Sequence, residues 1–259
     1  MSAAAAGTTL VGVVASCCPD KNSVSTQSQP AVTTAAWQDV ARRIEHTLLR
    51  PEATREHVIP LCDEARRFDF AAVVVNPGNV ALAARLLRDT PVKVATVIGF
   101  PLGATLTTVK RFEAGEALRL GADELDMVLN IGALKSGGRE AVLTDIRGVA
   151  EIAHKSGAIL KVILETALLT EQEKTLACEL CLAGNADFVK TSTGFGPAGA
   201  TVEDVALLRR VVGNRAGVKA AGGIRDASTA MAMIKAGADR LGTSASLAIM
   251  RELGAPTIS

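Results

Sequence analysis

The chain has 259 residues, of which 48% are hydrophobic, 21% are charged and only 3% are aromatic. This length suits one large domain and matches the roughly 250 residues of a typical (β/α)8 barrel. Lys and Arg number 28 against 27 Asp and Glu, which gives a net charge of +1. Because this balance includes no long basic run, we expect no nucleic-acid partner. No apolar segment has the length of a membrane span, so we expect no membrane partner and a cytoplasmic protein.

The first 36 residues differ in composition from the rest, being rich in Ala, Ser, Thr and Gln. Within them, the apolar run Leu10–Ala15 precedes Ser16-Cys17 and faintly resembles a lipoprotein cleavage site. No Lys or Arg comes before that run, so the charged start of a secretory signal is missing. We expect residues 1–36 to be a disordered or artificially added extension. One domain then covers residues 37–259.

Five cysteines occur, and Cys178 and Cys181 have the CxxC spacing found in zinc and redox sites. Both lie in an apolar helical stretch, with no second CxxC and no nearby His. An odd number of cysteines in a chain of this length does not indicate a disulfide framework. We therefore expect the pair to pack as small hydrophobic side chains.

From Trp37 onward, apolar runs of strand length alternate with amphipathic helical patterns. The predicted strands are Ile44–Leu49, Ala71–Asn76, Val92–Gly99, Glu124–Asn130, Leu160–Thr166, Phe188–Ser192, Gly217–Ala221 and Arg240–Thr243. Helical patterns include Thr54–Phe68, Thr107–Leu120 and Val202–Val212, with a last helix near Ser246–Glu252. Eight alternating strands and helices predict a parallel sheet inside a ring of helices, a single (β/α)8 TIM barrel. A doubly wound open sheet is the alternative, but it rarely has eight equivalent units and no GxGxxG follows the first strand.

A short junction recurs between helix and strand. Gly121-Ala122-Asp123 and Gly237-Ala238-Asp239 have the same sequence, and Gly184-Asn185-Ala186-Asp187 is a close variant. Gly beyond the last helical turn is expected to adopt the left-handed cap conformation. Three such junctions indicate a repeated supersecondary unit.

Four charged residues interrupt the apolar strands: Asp126 on the fourth, Lys161 on the fifth, Lys190 on the sixth and Lys219 on the seventh. The two-residue period of a strand turns each of them toward the barrel axis, and catalytic groups of such barrels lie at the carboxyl ends of the strands. A structural ion pair explains any one of them, for example Lys161 with Asp126. It explains the set poorly, because buried charges are costly.

Two inward lysines on adjacent strands can produce a nucleophile. An amine attacks a carbonyl only when deprotonated, and free Lys has a pKa of about 10.4. A neighbouring ammonium and desolvation both lower that pKa. One of Lys190 and Lys219 then acts as the nucleophile and the other tunes it, while Asp126 shuttles protons through a water.

Glycines at the last two strand ends predict a phosphate site. Gly222-Gly223 follows the seventh strand, with Arg225 just beyond, and Gly242-Thr243-Ser244 ends the eighth. Barrels often bind phosphate here through backbone N–H groups and a helix N-terminus.

Six segments resemble those of the deoxyribose-phosphate aldolases, in colinear order over roughly residues 37–253. They are Glu45-His-Thr-Leu-Leu-Arg-Pro51, Ala95-Thr-Val-Ile-Gly-Phe-Pro101, Glu124-Leu-Asp-Met-Val-Leu-Asn-Ile-Gly132, Leu160-Lys-Val-Ile-Leu-Glu-Thr166, Phe188-Val-Lys-Thr-Ser-Thr-Gly194 and Val218-Lys-Ala-Ala-Gly-Gly-Ile-Arg225. Several motifs matching together are far more specific than any one of them.

The resemblance implies a class I aldolase, a lyase of deoxyribonucleotide catabolism and carbohydrate degradation. It would reversibly cleave 2-deoxy-D-ribose 5-phosphate into acetaldehyde and D-glyceraldehyde 3-phosphate. Lys190 would form the Schiff base, Lys219 would lower its pKa, Asp126 would relay protons and Lys161 would hold this network. No metal or other cofactor is implied, because the protonated imine is the electron sink. The residues expected near the substrate hydroxyl and phosphate are Thr193, Gly194, Gly222, Gly223, Arg225, Gly242 and Ser244.

The chain departs from the family pattern at three places. Glu45 stands where members commonly carry Asp, and Phe195 where some carry a Lys that touches phosphate. Some members end in a Tyr that reaches the phosphate, and this chain contains no Tyr.

Two other functions stay open: a class I aldolase for another sugar phosphate, and a catalytically silent barrel that acts as a binding or scaffold protein. Retention of Lys190, Lys219 and Asp126 together argues against a scaffold. A homodimer is also an open possibility. Of the three histidines, His46 lies near the expected site, whereas His57 and His154 fall in helical stretches. No His or carboxylate group shows metal-ligand spacing.

Overall fold

Eight parallel strands form a closed barrel in the computed structural model, which describes residues 37–256. The expected extension, residues 1–36, lies outside the described residues. The strands are β1 Ile44–Leu48, β2 Ala72–Val75, β3 Lys93–Ile98, β4 Glu124–Val128, β5 Ile159–Ile163, β6 Phe188–Lys190, β7 Gly217–Ala221 and β8 Arg240–Thr243. Each strand pairs with the next, and β8 pairs with β1 to close the ring. The predicted (β/α)8 barrel is confirmed, and the open sheet is excluded.

Within the described part of the chain, ten α-helices accompany these strands, where the sequence pattern predicted eight. They are α1 Trp37–Ala41, α2 Arg55–Phe68, α3 Val80–Leu87, α4 Thr107–Arg119, α5 Ile131–Lys135, α6 Arg139–Lys155, α7 Glu171–Ala183, α8 Val202–Val212, α9 Ala227–Ala236 and α10 Ser246–Glu252. The two unpredicted helices, α1 and α5, have five residues each, too few to show a helical period. Inside the loop after β4, the Asn130 side chain starts α5 by accepting a hydrogen bond from the Ala133 N–H at 3.1 Å. Over the described residues, no helix combines the length and hydropathy that a bilayer span requires.

Three predicted strands extend two or more residues beyond the regular ladder at their carboxyl ends. β4 ends at Val128 and β6 at Lys190, two residues earlier than predicted, and β5 ends at Ile163, three residues earlier. The apolar sequence continues because these connections stay buried and bonded to the neighbouring strand. For example, the Leu164 N–H donates to the carbonyl of Lys190 at 2.9 Å.

The recurring junctions join adjacent strands at the amino end of the barrel. In each, the Asp carboxylate accepts a hydrogen bond from a backbone N–H near the start of the preceding strand. The pairs are Asp123 with Val94 (2.9 Å), Asp187 with Leu160 (2.8 Å) and Asp239 with Val218 (2.8 Å). The same side chain therefore fixes three pairs of consecutive strands.

The left-handed cap was predicted correctly at two of the three junctions. Gly121 and Gly237 have φ values of 102° and 114°. In the third, Gly184 keeps a helical conformation (φ −85°) and Asn185 takes the positive φ instead, at 65°. A Cβ at Gly184 would lie 2.6 Å from Ile146, so that glycine permits close helix packing rather than a reversed turn.

Two buried layers hold the barrel together. The larger lies between the sheet and the helices, and includes Cys178 and Cys181, both fully buried on α7. Burial raises the pKa of the Cys178 thiol to about 12, which fits the predicted packing role. The smaller layer lies inside the barrel. It consists of Leu49, Ala72, Val74, Ala95 and Val97, beside β2 and β3.

The junction carboxylates predict a measurable loss of stability. Asp187→Ala removes the acceptor of the Leu160 N–H and leaves a strand-end donor unpaired. We expect the free energy of unfolding in urea to fall by about 1–3 kcal/mol. The control is Asp89→Ala, an exposed carboxylate in the loop before β3, which should change it by less than about 0.5 kcal/mol. Equal effects of the two substitutions would contradict this role.

Candidate active site

One buried carboxylate contacts three lysines inside the barrel. The Oδ2 atom of Asp126 lies 2.6 Å from the Nζ atoms of both Lys190 and Lys219, and its Oδ1 atom lies 2.9 Å from Nζ of Lys161. Asp126, Lys161 and Lys219 are fully buried, and Lys190 is 3% exposed. The three lysines that interrupt the apolar strands therefore all contact the fourth such residue, Asp126.

Strand register explains this convergence. Asp126 pairs with Lys161 across β4 and β5, and Lys190 pairs with Lys219 across β6 and β7. Residues level with each other on neighbouring strands point to the same side of the sheet. Since the sheet is closed, that side is the interior, and the four side chains approach one point.

Three further charged residues surround this cluster, and the sequence analysis assigned them no part in it. Lys161 also contacts Glu124 at 2.5 Å and Glu45 at 3.4 Å, and Glu45 forms a close ion pair with Lys219. Arg240 lies 3.7 Å from Glu45 and 3.6 Å from Glu124. Glu45 is fully buried. The Glu45 side chain thus reaches Lys219 directly.

Lys190 has the electrostatic character of a nucleophile. Burial is the largest influence, and it lowers the pKa of Lys190 to about 8; Asp126 opposes this shift, while the charge of Lys219 adds to it. A free lysine amine titrates at about 10.4. Lys190 therefore loses its proton far more readily than an exposed lysine.

The surroundings of Lys161 and Asp126 shift both pKa values toward the charged form, whereas those of Lys190 shift its pKa toward the neutral form. Burial alone would lower the pKa of Lys161, but Asp126, Glu45 and Glu124 outweigh burial and raise the pKa above its ordinary value. Burial alone would raise the pKa of Asp126, yet Lys161, Lys190 and Lys219 hold it well below its usual range. Lys161 is thus a permanent cation, suited to holding carboxylates rather than attacking a carbonyl.

A cavity of about 320 Å³ opens at the carboxyl end of the barrel, and Lys190 lines it. Lys161, Lys219 and Asp126 do not. All seven residues expected at the substrate line this cavity: Thr193, Gly194, Gly222, Gly223, Arg225, Gly242 and Ser244. Arg50, two residues after the end of β1, and Phe195 line it as well. Arg50 was missed, although its position after a strand could have indicated it.

The glycines after β7 have backbone conformations that suit a close approach to a ligand. Gly222 and Gly223 have φ values of 87° and 80°, which few other residues adopt. A Cβ at Gly199 would lie 2.2 Å from the carbonyl oxygen of Gly222, so the loop after β6 packs directly on this turn. The cavity wall on this side is therefore backbone, with N–H groups that an anion can use.

His46 does not enter the site. Its ring nitrogens contact Glu64 on α2 at 2.7 Å and Ser246 on α10 at 2.8 Å, so the side chain faces the helices. Within residues 37–256, no group of His, Cys, Asp and Glu side chains is arranged to hold a metal ion.

Comparison with known proteins identifies similar chains. The family model described as DeoC/LacD family aldolase matches residues 40–252. A deoxyribose-phosphate aldolase of Thermococcus gammatolerans is 60% identical over 82% of this chain and 95% of its own length. One of Thermococcus kodakarensis is 59% identical over 85% of this chain and 98% of its own. The tetrameric deoxyribose phosphate aldolase structure from Aeropyrum pernix superposes with a TM-score of 0.78. It is 38% identical and is covered over 91% of its chain, against 83% of this one.

If Lys190 is an amine that forms an imine with an aldehyde, its pKa predicts how that reaction depends on pH. Only the deprotonated amine attacks, so the rate of imine formation should rise through about pH 8. In Lys219→Met, a charge that lowers the pKa of Lys190 is lost, and the pKa rises. We therefore expect the midpoint to move to higher pH. Trapping of the acetaldehyde imine by cyanoborohydride at several pH values measures it.

The control for this experiment is Lys235→Met, which removes an exposed lysine from the last turn of α9. Its midpoint should match that of the unmodified chain. A midpoint that stays in place in Lys219→Met would show that Lys219 does not tune Lys190.

Proposed function

The chain belongs to the DeoC/LacD family of aldolases, and on that premise we propose that it reversibly cleaves 2-deoxy-D-ribose 5-phosphate. The products are acetaldehyde and D-glyceraldehyde 3-phosphate, and the reaction proceeds through a Schiff base on Lys190. The observation that carries this proposal is the contrast among three lysines around Asp126. Of these, Lys190 alone lines the cavity, and its pKa is lowered to about 8.

The covalent step starts from the open-chain sugar. The deprotonated amine of Lys190 attacks carbon 1 and forms a carbinolamine. The carbinolamine hydroxyl takes up a proton and leaves as water, which gives a protonated imine. Burial of Lys190 favours the neutral amine that this attack needs. The positive imine then forms beside Asp126, whose negative charge stabilises it.

Cleavage breaks the bond between carbons 2 and 3. The hydroxyl on carbon 3 gives up its proton and becomes the aldehyde of glyceraldehyde 3-phosphate, while the bonding electrons move to the imine nitrogen and form an enamine. A proton returned to carbon 2 gives the acetaldehyde imine, which water hydrolyses. Asp126 is charged and lies 2.6 Å from Lys190 and Lys219, so it suits a relay that passes this proton through water.

The phosphate is proposed to bind at the ends of β7 and β8. Gly222 and Gly223 offer backbone N–H groups, Ser244 adds a hydroxyl, and Arg225 supplies a positive charge on the same cavity wall. An Arg guanidinium forms charge-assisted hydrogen bonds with phosphate oxygens.

Borohydride trapping tests the covalent mechanism. Incubation with deoxyribose 5-phosphate and borohydride, followed by peptide mass mapping, should give a stable adduct on Lys190. Lys190→Ala should give no adduct and no cleavage, because the remaining lysines are held as ion pairs away from the cavity.

Other outcomes discriminate between the alternatives. An adduct on Lys219 or Lys161 would contradict the assigned nucleophile but keep the aldolase. Failure of the folded chain to form any adduct, beside an active control aldolase, would favour another sugar phosphate or a silent scaffold.

Arg225 tests the phosphate site. Arg225→Gln should raise KM for deoxyribose 5-phosphate by about 10-fold to 100-fold, since a hydrogen bond to a charged group contributes about 1.5–3 kcal/mol. KM for unphosphorylated deoxyribose should change little. The matched control is Arg210→Gln, which removes an exposed arginine on the outer face of α8 that pairs with Glu171. It should leave both KM values unchanged. An equal rise in KM for both sugars would contradict phosphate binding by Arg225.

We also propose that two copies of the chain associate through an apolar stripe on α4 and the loop before it. Leu102, Leu106, Val109 and Phe112 are 73%, 71%, 47% and 73% exposed. Large exposed apolar patches mark association surfaces, and the relative from Aeropyrum pernix is described as tetrameric.

Phe112→Lys tests this association, because it places a charge in the stripe. Sedimentation velocity should show at least a dimer for the unmodified chain and a shift to monomer for the variant. A monomeric unmodified chain at micromolar concentration would contradict the proposal.

A further inference from the structure

Glu165 has an unusual backbone for its position at the carboxyl end of the barrel. It follows β5 with φ 56° and ψ 63°, the left-handed region, and it is 3% exposed. The other described non-glycine residues with positive φ are Asp69 and Asn185, which both end helices. Strained conformations of this kind persist where the surrounding structure fixes them, and they cluster at functional sites.

The Glu165 side chain binds the loop that follows β6. Its Oε2 atom accepts a hydrogen bond from the Thr193 N–H at 3.2 Å and a second, very close one from the Thr193 hydroxyl. Gly196 of the same loop packs on the carboxylate, since a Cβ there would lie 2.8 Å from its Cδ. One buried carboxylate thus holds both ends of the segment from Thr193 to Gly196.

These contacts determine which further hydrogen bond the Thr193 hydroxyl can form. A hydroxyl has a single hydrogen to donate and two lone pairs. The hydrogen goes to Glu165, and one lone pair accepts the Phe195 N–H at 3.0 Å. One lone pair remains. Thr193 lines the same cavity as Lys190, so it can accept a hydrogen bond from a ligand but cannot donate one.

We propose that Glu165 is a positioning residue that makes Thr193 an obligatory acceptor and thereby selects aldehydes carrying a hydroxyl next to the carbonyl. This inference rests on the proposed aldol reaction, read in the direction of synthesis. The carbonyl oxygen of the incoming aldehyde and the oxygens of a phosphate dianion have no hydrogen to give. The hydroxyl on carbon 2 of glyceraldehyde 3-phosphate does, so it is the group that Thr193 recognises.

Thr193 therefore accepts a hydrogen bond from the substrate hydroxyl and does not bind the phosphate. An aldehyde that lacks this hydroxyl leaves the acceptor unpaired in a desolvated site. Sites built to bind a substrate hydroxyl reject analogues that lack it more strongly than apolar pockets reject a missing methylene. Loss of Glu165 frees the Thr193 hydroxyl to rotate, so it can donate as well as accept. The preference for aldehydes that carry the hydroxyl over those that lack it then falls.

The test compares two acceptor aldehydes in the reaction that joins each of them to acetaldehyde. One is glyceraldehyde 3-phosphate, and the other is 3-oxopropyl phosphate, which has hydrogen in place of the hydroxyl on carbon 2. The measured quantity is the ratio of their kcat/KM values. Glu165→Ala and Thr193→Val should each lower this ratio by about tenfold or more, and Thr193→Ser should keep it. In the double variant the two effects should not add, because both act on one hydrogen bond.

Two controls separate selectivity from general damage. Glu203→Gln removes an exposed carboxylate from the first turn of α8 and should leave the ratio unchanged. Glu165→Gln keeps the side-chain volume in case the alanine variant does not fold. Its amide oxygen can still accept from both the Thr193 N–H and the Thr193 hydroxyl, so the ratio should be retained. If Glu165→Ala slows both aldehydes by the same factor, or Glu165→Gln lowers the ratio as far as Thr193→Val does, the inference is overturned.

Failure of the proposed function gives a different result. If the unmodified chain forms no acetaldehyde imine on Lys190, the premise fails and the inference falls with it. If the imine forms and the unmodified chain uses both aldehydes equally well, the aldolase stands and the role of Glu165 is wrong.

Discussion

The site depends on one ionised carboxylate, Asp126, buried among three lysines inside a closed barrel. An isolated buried charge is very costly, so Asp126 remains ionised only because the lysines surround it. The lysines in turn need carboxylates, and Lys161 obtains two more from Glu45 and Glu124. Among residues 37–256, Lys190 makes a single ion pair, and it borders the cavity. This unequal sharing of negative charge is what separates a permanent cation from a nucleophilic amine in the same cluster.

The rest of the fold keeps the strands that carry these charges in register. Small apolar residues fill the interior beside β2 and β3, so the charges are confined to the remaining strands. Behind β4, the buried Lys110 ammonium donates to the carbonyl of Val128 at 2.9 Å and pairs with Asp145 at 2.5 Å. That contact fixes the strand end two residues beyond Asp126. Ion pairs of this kind seldom add net stability, but removing one partner is strongly destabilising, so they favour a single register over slipped ones.

The sequence predicted the barrel and its four interior charges because both follow from local periodicity. Where the neighbours of an Asp or Lys along a strand are apolar and face the helices, the two-residue period turns the charged side chain inward. The contact between Glu45 and Arg240 could not be predicted in this way. It forms only when β8 pairs with β1, and no local sequence pattern reveals that pairing. Glu165 lies beyond the end of its strand, in a backbone conformation that a glutamate rarely adopts. Helix α5 was missed because a five-residue helix shows too little periodicity to be recognised.

The unequal chemistry of the lysines around Asp126 can be measured by titration of the chain labelled with ¹³C at lysine Cε, followed by NMR and assigned with single Lys variants. We expect Lys190 to titrate near pH 8 and Lys161 to keep its proton to the alkaline limit of the folded state. A Lys190 signal that titrates near the ordinary value of about 10.4, or a Lys161 signal that titrates before it, would show that shared negative charge does not distinguish these amines.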